Sequence, residues 1–260
     1  MRCAIMQPTY LPWVGYFALI ESVDVFVFLD DVAFSRQSWQ QRNRIKTQSG
    51  PQWLSVPVKL AGKSHQLIRD VEIDDIQPWR RRHASTILMS YAKAPYMSLH
   101  STWIQNVYHT QQSSLCELNI GIIQNIAELL GLNTKFRLSS TIEKSDDRIG
   151  RLVAYCKAVG ADEYLSPPGS FDYLGIGDEF VNQGIRLSYL HYEHPMYQQL
   201  HGPFVTHLSA IDLLLNEGSN GYAVIMSGLR TPYTYEELHE VLRQQRATSF
   251  SKGGLANELS

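Results

Sequence analysis

The chain has only three cysteines in 260 residues, Cys3, Cys116 and Cys156, far apart and with no Cys-x-x-Cys pair. That excludes a disulfide framework and a zinc knuckle and fits a compartment that keeps thiols reduced, so a cytoplasmic location is expected. Net charge is also scarce: 23 basic against 25 acidic residues give a formal −2, which leaves no global basic field for nucleic acid to condense on, and no nucleic-acid partner is expected. No window approaches the roughly 18 uncharged apolar residues of a membrane span. The opening apolar run, Cys3 to Met6, ends at Gln7-Pro8, too short for a secretory signal. Gly-x-Gly-x-x-Gly, the Walker phosphate loop and the Gly-x-Ser-x-Gly elbow are all missing, so classical dinucleotide oxidoreductases, P-loop kinases and serine hydrolases lose ground.

What is present is a foldable α/β pattern. Hydrophobic residues make up 44% and charged residues 18%, enough for one sizeable core. Arg2 to Met6 reads as a buried strand, the run after Gly15 as a helix ending near Asp24, and Val25 to Leu29 as a second strand. Two strands joined by a short helix imply a βαβ unit and a parallel pair. Trp53–Val58 and Ile68–Ile73 read as further strands. Helices are expected over Pro78–Tyr91, Ser98–His109 and Leu115–Leu130, a helical insertion of about 78–131. Lys135–Leu138, Glu163–Ser166 and Ile185–Tyr192 read as strands; Asp146–Val159, Val205–Asn216 and Thr234–Arg246 as helices; and from Ser249 a polar, frayed tail. The expectation is one α/β domain with a mainly parallel sheet.

Two segments carry the chemistry. Gln7-Pro8-Thr9-Tyr10-Leu11-Pro12-Trp13-Val14-Gly15-Tyr16-Phe17 packs two prolines and large aromatics between the first strand and its helix. In an open α/β sheet this carboxyl-end loop binds ligands, with anions favoured at the helix N-terminus. Its spacing resembles the His-x-Gly-His loop of nucleotidylyltransferases, with Trp13 and Tyr16 where the histidines would stand, so nucleotidyl transfer does not carry over. The other reading is a rigid aromatic turn that caps the sheet. The second segment follows the second strand: Asp30 and Asp31, then Arg42-Asn43-Arg44-Ile45-Lys46. The aspartates could serve a divalent metal with a phosphate or act as caps and ion pairs. Arg42, Arg44 and Lys46 alternate, so an extended backbone presents them on one face, as an anion clamp or as a solvated strand.

These runs, with Gln52-Trp53-Leu54-Ser55-Val56-Pro57-Val58 after them, resemble the opening signature of the WbqC-like family. Trp79, His83, Tyr91 and Lys93-Ala94-Pro95-Tyr96 match its helical segment; Arg148, Cys156, Gly160-Ala161 and Tyr164-Leu165-Ser166 its later helix and strand. His194-Pro195-Met196-Tyr197-Gln198 and Ser209–Asn216 match its C-terminal signature. Ser166-Pro167-Pro168-Gly169 departs from it, since a glycine is expected directly after the serine. The family's association with O-antigen and other glycan-biosynthesis enzymes implies activated sugars, or their modifying groups, as substrates.

Four histidines cluster late in the chain, His191, His194, His201 and His207, with Glu193 and Asp212 nearby. Their spacing lacks zinc-site regularity, so no structural metal is expected. His194 is either an acid/base group or a loop histidine that anchors Pro195. Tyr91, Tyr96, Tyr173 and Tyr197 are either ring-stacking groups or packing. The expected protein is a transferase, an enzyme of bacterial glycan or related metabolite biosynthesis that binds a phosphorylated or nucleotide-like small molecule and transfers an acyl or aminoacyl-type group to an amine. His194, Tyr16 and Asp30 are the catalytic candidates. Gln7, Tyr10, Trp13, Gly15, Arg42, Asn43, Arg44, Lys46, Ser166, Tyr173 and Tyr197 are the binding candidates. The alternatives are a nucleotidyltransferase with its histidines replaced, or a sugar-nucleotide-binding scaffold. No cofactor is named by the sequence, and homodimer formation stays open.

Overall fold

The computed structural model describes residues 1–63, 65–143, 145 and 147–254, with side chains to Arg246. Strand β1 (Arg2–Met6) pairs in parallel with β2 (Val25–Phe28), Cys3 opposite Val25 and Met6 opposite Phe28, across helix α1 (Val14–Glu21). All four residues of β2 are buried, as expected of a strand covered on both faces. An antiparallel hairpin of β3 (Arg42–Thr47) and β4 (Gly50–Ser55) follows, then α2 (Trp79–Ser90), α3 (Met97–His109) and α4 (Leu115–Leu129). Next come β5 (Lys135–Leu138), α5 (Arg148–Ala158) and β6 (Glu163–Ser166), then the one-turn helices α6 (Phe171–Leu174) and α7 (Asp178–Val181) and β7 (Arg186–Tyr189). The chain ends with α8 (Ala210–Glu217), α9 (Gly221–Ser227) and α10 (Tyr235–Gly254).

The five-stranded sheet is parallel throughout, in the order β5-β2-β1-β6-β7, so the expected α/β class with a parallel sheet is what forms. Alternation along the strands builds two cores. Ala4, Phe26 and Phe28 face one side and pack with α1, α2, α3, α4 and α8. Cys3, Ile5, Val25 and Val27 face the other, with α5, Phe171, Phe180 and Leu238. No helix among the described residues is long and apolar enough to cross a membrane.

Several boundaries differ from the sequence reading: the strand expected over Trp53–Val58 is shifted to Gly50–Ser55, and that expected over Ile185–Tyr192 spans only Arg186–Tyr189. Ile68–Ile73 is not a strand: a 3-10 turn covers Ile68–Asp70, because Asp70 and Val71 amides turn back onto the Leu67 and Ile68 carbonyls while Ile68, Val71 and Ile73 are all buried. The helix expected from Val205 starts only at Ala210, where Ser209 caps it through the Ile211 amide at 3.3 Å and His207 is held at φ 57°. The frayed tail expected from Ser249 is helical to Gly254, and 255–260 lie outside the described residues.

Candidate functional site

The strand order sets where a ligand cleft belongs. From β1 the chain moves to β2 and β5 on one side, then to β6 and β7 on the other, so the loops leaving β1 and β6 depart to opposite faces. Their carboxyl ends form a topological switch point, where open α/β sheets bind ligands. A 560 Å³ groove also lies at the amino edge, lined by Met1, Val25, Asn133 and Lys135, but no imidazole or arginine lines it.

At the carboxyl edge the loop from β1 meets the long loop after β7. The Trp13 ring is 4.8 Å from that of His207, 5.9 Å from that of His194, with which it is stacked, and 5.8 Å edge-on to Tyr192. The amide bridges Trp13–Ser209 and Ala210 N–Pro12 O (2.7 Å) lock the two segments together. Gly15 serves this contact and not a ligand: a Cβ built on it would lie 2.2 Å from the Trp13 indole. The indole therefore covers the first turn of α1.

Both nitrogens of His194 are engaged. Nε2 accepts the His207 amide at 3.1 Å, which leaves Nδ1 as the protonated atom, donating to the Pro195 carbonyl at 2.9 Å. Burial holds the imidazole below its ordinary pKa. His194 is thus a loop anchor in this arrangement, and the proton role expected of it has no free nitrogen to use. His207 is exposed, its ring nitrogens carry no hydrogen bond among the described residues, and packing followed by the Arg44 charge holds it below its ordinary value. It is the available neutral imidazole. Arg44 Nε is buried without a partner among the described residues. Arg42 and Arg44 lie 4.5 and 5.6 Å over the Trp53 ring, and neither has an acidic partner among those residues.

Lys46 is corrected most clearly. It is 1% exposed, and Nζ donates to Gln199 Oε1 (3.1 Å), the Gly202 carbonyl (3.1 Å) and the Pro203 carbonyl (2.6 Å). All three of its donors are spent on the protein, so none is left for an anion. Burial lowers its pKa, with Asp212 opposing that shift. Asp212, fully buried, accepts the hydroxyls of Tyr91 at 2.8 Å and Tyr197 at 2.9 Å. Lys46, Asp212 and these tyrosines pin the loop that carries His194 and His207.

The other candidates are placed as follows. Tyr16 is buried and its hydroxyl donates to the Gln7 carbonyl at 3.0 Å, so it is a core residue and leaves the catalytic set. Asn43, 1% exposed, bridges the Leu11 carbonyl and the Arg44 amide. Gln7 Oε1 accepts from Gln40 Nε2 at 2.7 Å. Asp30 is buried against Ser139 Oγ (2.9 Å) and Ser140 N (2.9 Å) and Oγ (2.6 Å), while Asp31 accepts from Tyr155 (2.9 Å). The aspartates thus tie the ends of β2 and β5 together. Among the described residues no group of three or more His, Cys, Asp or Glu is placed to hold a metal. Ser166 is buried, 2.6 Å from Ser170 Oγ. Tyr173 is exposed and stacks under Arg148 at 3.9 Å. Tyr197 joins the site edge, 6.5 Å from His194.

Tyr10 is also buried. Its hydroxyl lies 2.8 Å from His83 Nδ1 and 2.6 Å from the Tyr108 hydroxyl, which fastens the β1 loop to α2 and α3. Burial, with Arg82 adding to it, holds His83 down to about 4 against an ordinary 6.5. A depressed folded pKa contributes stability that is complete above about 6.5 and is lost as pH falls through about 4, on the order of 3 kcal/mol in total. Denaturant unfolding over that range is expected to show this loss in the wild type and a shallower one in His83→Gln. Parallel slopes would contradict it.

The fold is that of an α/β protein with a parallel sheet, and histidine and arginine side chains gather at its carboxyl edge. The sequence profile of the WbqC-like protein family matches residues 7–224, and the chain belongs to that family. It is 36% identical over 222 residues, 84% of this chain and 94% of the relative, to the "Uncharacterized protein Rv1507c" of Mycobacterium tuberculosis (strain ATCC 25618 / H37Rv). No solved structure matches the chain significantly.

Proposed function

We propose that the protein is an enzyme of bacterial glycan or related metabolite biosynthesis that binds a phosphorylated or nucleotide-like substrate at the carboxyl edge of its sheet and transfers an acyl-type group to an amine. One observation carries this reading: a neutral imidazole with free ring nitrogens, His207, sits beside Arg44, whose buried Nε lacks a partner among the described residues, at the meeting of the loops from β1 and β7. The arginines offset the charge of a phosphate-bearing leaving group. The acceptor's neutral amine attacks the acyl carbonyl carbon, and its proton passes to His207. The bond to the leaving oxygen breaks with its electron pair on the phosphate-bearing group. His194, through the His207 amide, is a positioning residue, and Trp13 braces both imidazoles.

The test is binding of inorganic pyrophosphate, and of nucleoside diphosphates found by thermal shift, to wild type, Arg42→Ala and Arg44→Ala at low salt. Arg44→Ala is expected to weaken binding roughly ten- to hundredfold with an unchanged melting temperature. Equal affinity in all three proteins would refute the anion site.

A further inference from the structure

Adjoining the carboxyl-edge site, with Trp53 between the two, a groove of about 810 Å³ runs between β4 and α2. One wall carries Gln52, Trp53 and Ser55, and the other Arg81, Arg82 and Ser85, all of them exposed. Its chemistry is one-sided: no acidic residue lines it, although acids outnumber bases in the chain as a whole. Neither Arg81 nor Arg82 has an acidic partner among the described residues, and Arg82 spends one N–H on Gln77 Oε1 at 3.4 Å. Exposed aromatic surface adjoins it. Trp53 is 44% and Trp39 50% exposed, their rings 5.4 Å apart, and Arg42 lies over Trp53.

We infer that this groove is a second binding site, for an anionic, polyhydroxylated ring: a saccharide bearing a carboxylate or a phosphate. The part of the Trp53 indole that Arg42 and Arg44 leave exposed suits the C–H face of a sugar ring. The amide and hydroxyl groups of Gln52, Ser55 and Ser85 both donate and accept, as sugar hydroxyls require, and the two guanidiniums of Arg81 and Arg82 match a carboxylate or phosphate. A bare anion would leave the exposed part of the indole without a ligand contact, and a neutral sugar would leave Arg81 and Arg82 without one. That the saccharide serves as the acceptor rests on the group-transfer reading; that it binds here does not.

The test is isothermal titration of the full chain with digalacturonate and glucose 6-phosphate, and with glucose, inorganic phosphate and an oligothymidine as controls. Both acidic saccharides are expected to saturate at least tenfold more tightly than glucose or phosphate. Arg81→Ala/Arg82→Ala, at exposed positions, is expected to lose at least tenfold of that affinity while its binding of pyrophosphate is unchanged. The inference is overturned if neither acidic saccharide saturates, if phosphate or the oligothymidine binds as tightly, or if the double variant binds the saccharides like wild type. If wild type binds the saccharides but not pyrophosphate, the groove stands and the carboxyl-edge reading falls.

Discussion

Replacing Asp212 with alanine is expected to cost roughly 3 kcal/mol or more of stability, a fall of about 6–12 °C in melting temperature for a chain of this size. The carboxylate is fully buried and accepts two tyrosine hydroxyls, one on each oxygen. Alanine leaves the hydroxyls of Tyr91 and Tyr197 without that acceptor and removes the negative charge that supports buried Lys46. An asparagine side chain, by contrast, keeps one acceptor oxygen and can donate to the second hydroxyl, so Asp212→Asn is expected to lose far less. The pH dependence separates charge from hydrogen bonding. Burial raises the Asp212 pKa above its ordinary 3.8. Its protonated form is therefore favoured in the fold, and the stability it contributes is complete below 3.8 and lost as pH rises through the raised value. The Asp212→Asn variant should accordingly gain on wild type as pH rises across that interval. An Asp212→Ala protein that melts within about 2 °C of wild type would show that the network is not the anchor of the loop.

Gly15→Ala is expected to be the most disruptive small change at the site. The new Cβ would stand 2.2 Å from the Trp13 indole, which must swing out and give up its contacts with His194, His207 and Tyr192. Overpacking of this kind costs about 1–3 kcal/mol, and pyrophosphate binding should weaken with it because His207 loses its brace. The three atoms nearest the new Cβ all belong to the Trp13 indole, so a double-mutant cycle isolates that clash. In a Trp13→Ala background the same Gly15→Ala change should cost almost nothing, and can gain up to about 1 kcal/mol from helix propensity. Additive effects in the cycle would mean that the indole does not hold the two loops together.

Much of the scaffold was legible in the sequence because it depends on local pattern. The unbroken Val25-Phe26-Val27-Phe28 run announces a strand covered on both faces, and β1, β5 and β6 coincide with their expected limits. The loop from Gln7 to Trp13 was legible as the carboxyl-end loop for the same reason. The side-chain assignments within it were less so. Tyr10 and Tyr16 read as ligand groups, yet both are buried; for Tyr16 the signal was there in Val14 to Ile20, which has no polar side chain other than the Tyr16 hydroxyl and so describes a helix buried all round. Alternation put Arg42, Arg44 and Lys46 on one face; the structure sets the two arginines over Trp53, and the pattern could not show that residues 199–203, over 150 positions away, close over Lys46. His207 was one histidine among four. Ser209 with Asp212 three positions on marks a helix start, which would have left His207 in the loop and not in the helix expected from Val205.

The most direct test of the carboxyl-edge site is an NMR titration of the histidine imidazoles with and without inorganic pyrophosphate. An anion held by Arg44 lies beside His207 and favours its protonated form, so the His207 pKa should rise by about one unit or more, while that of His194, with both nitrogens bonded to the backbone, should move far less. The rise should vanish in Arg44→Ala. A His207 that titrates identically with pyrophosphate bound would contradict the site.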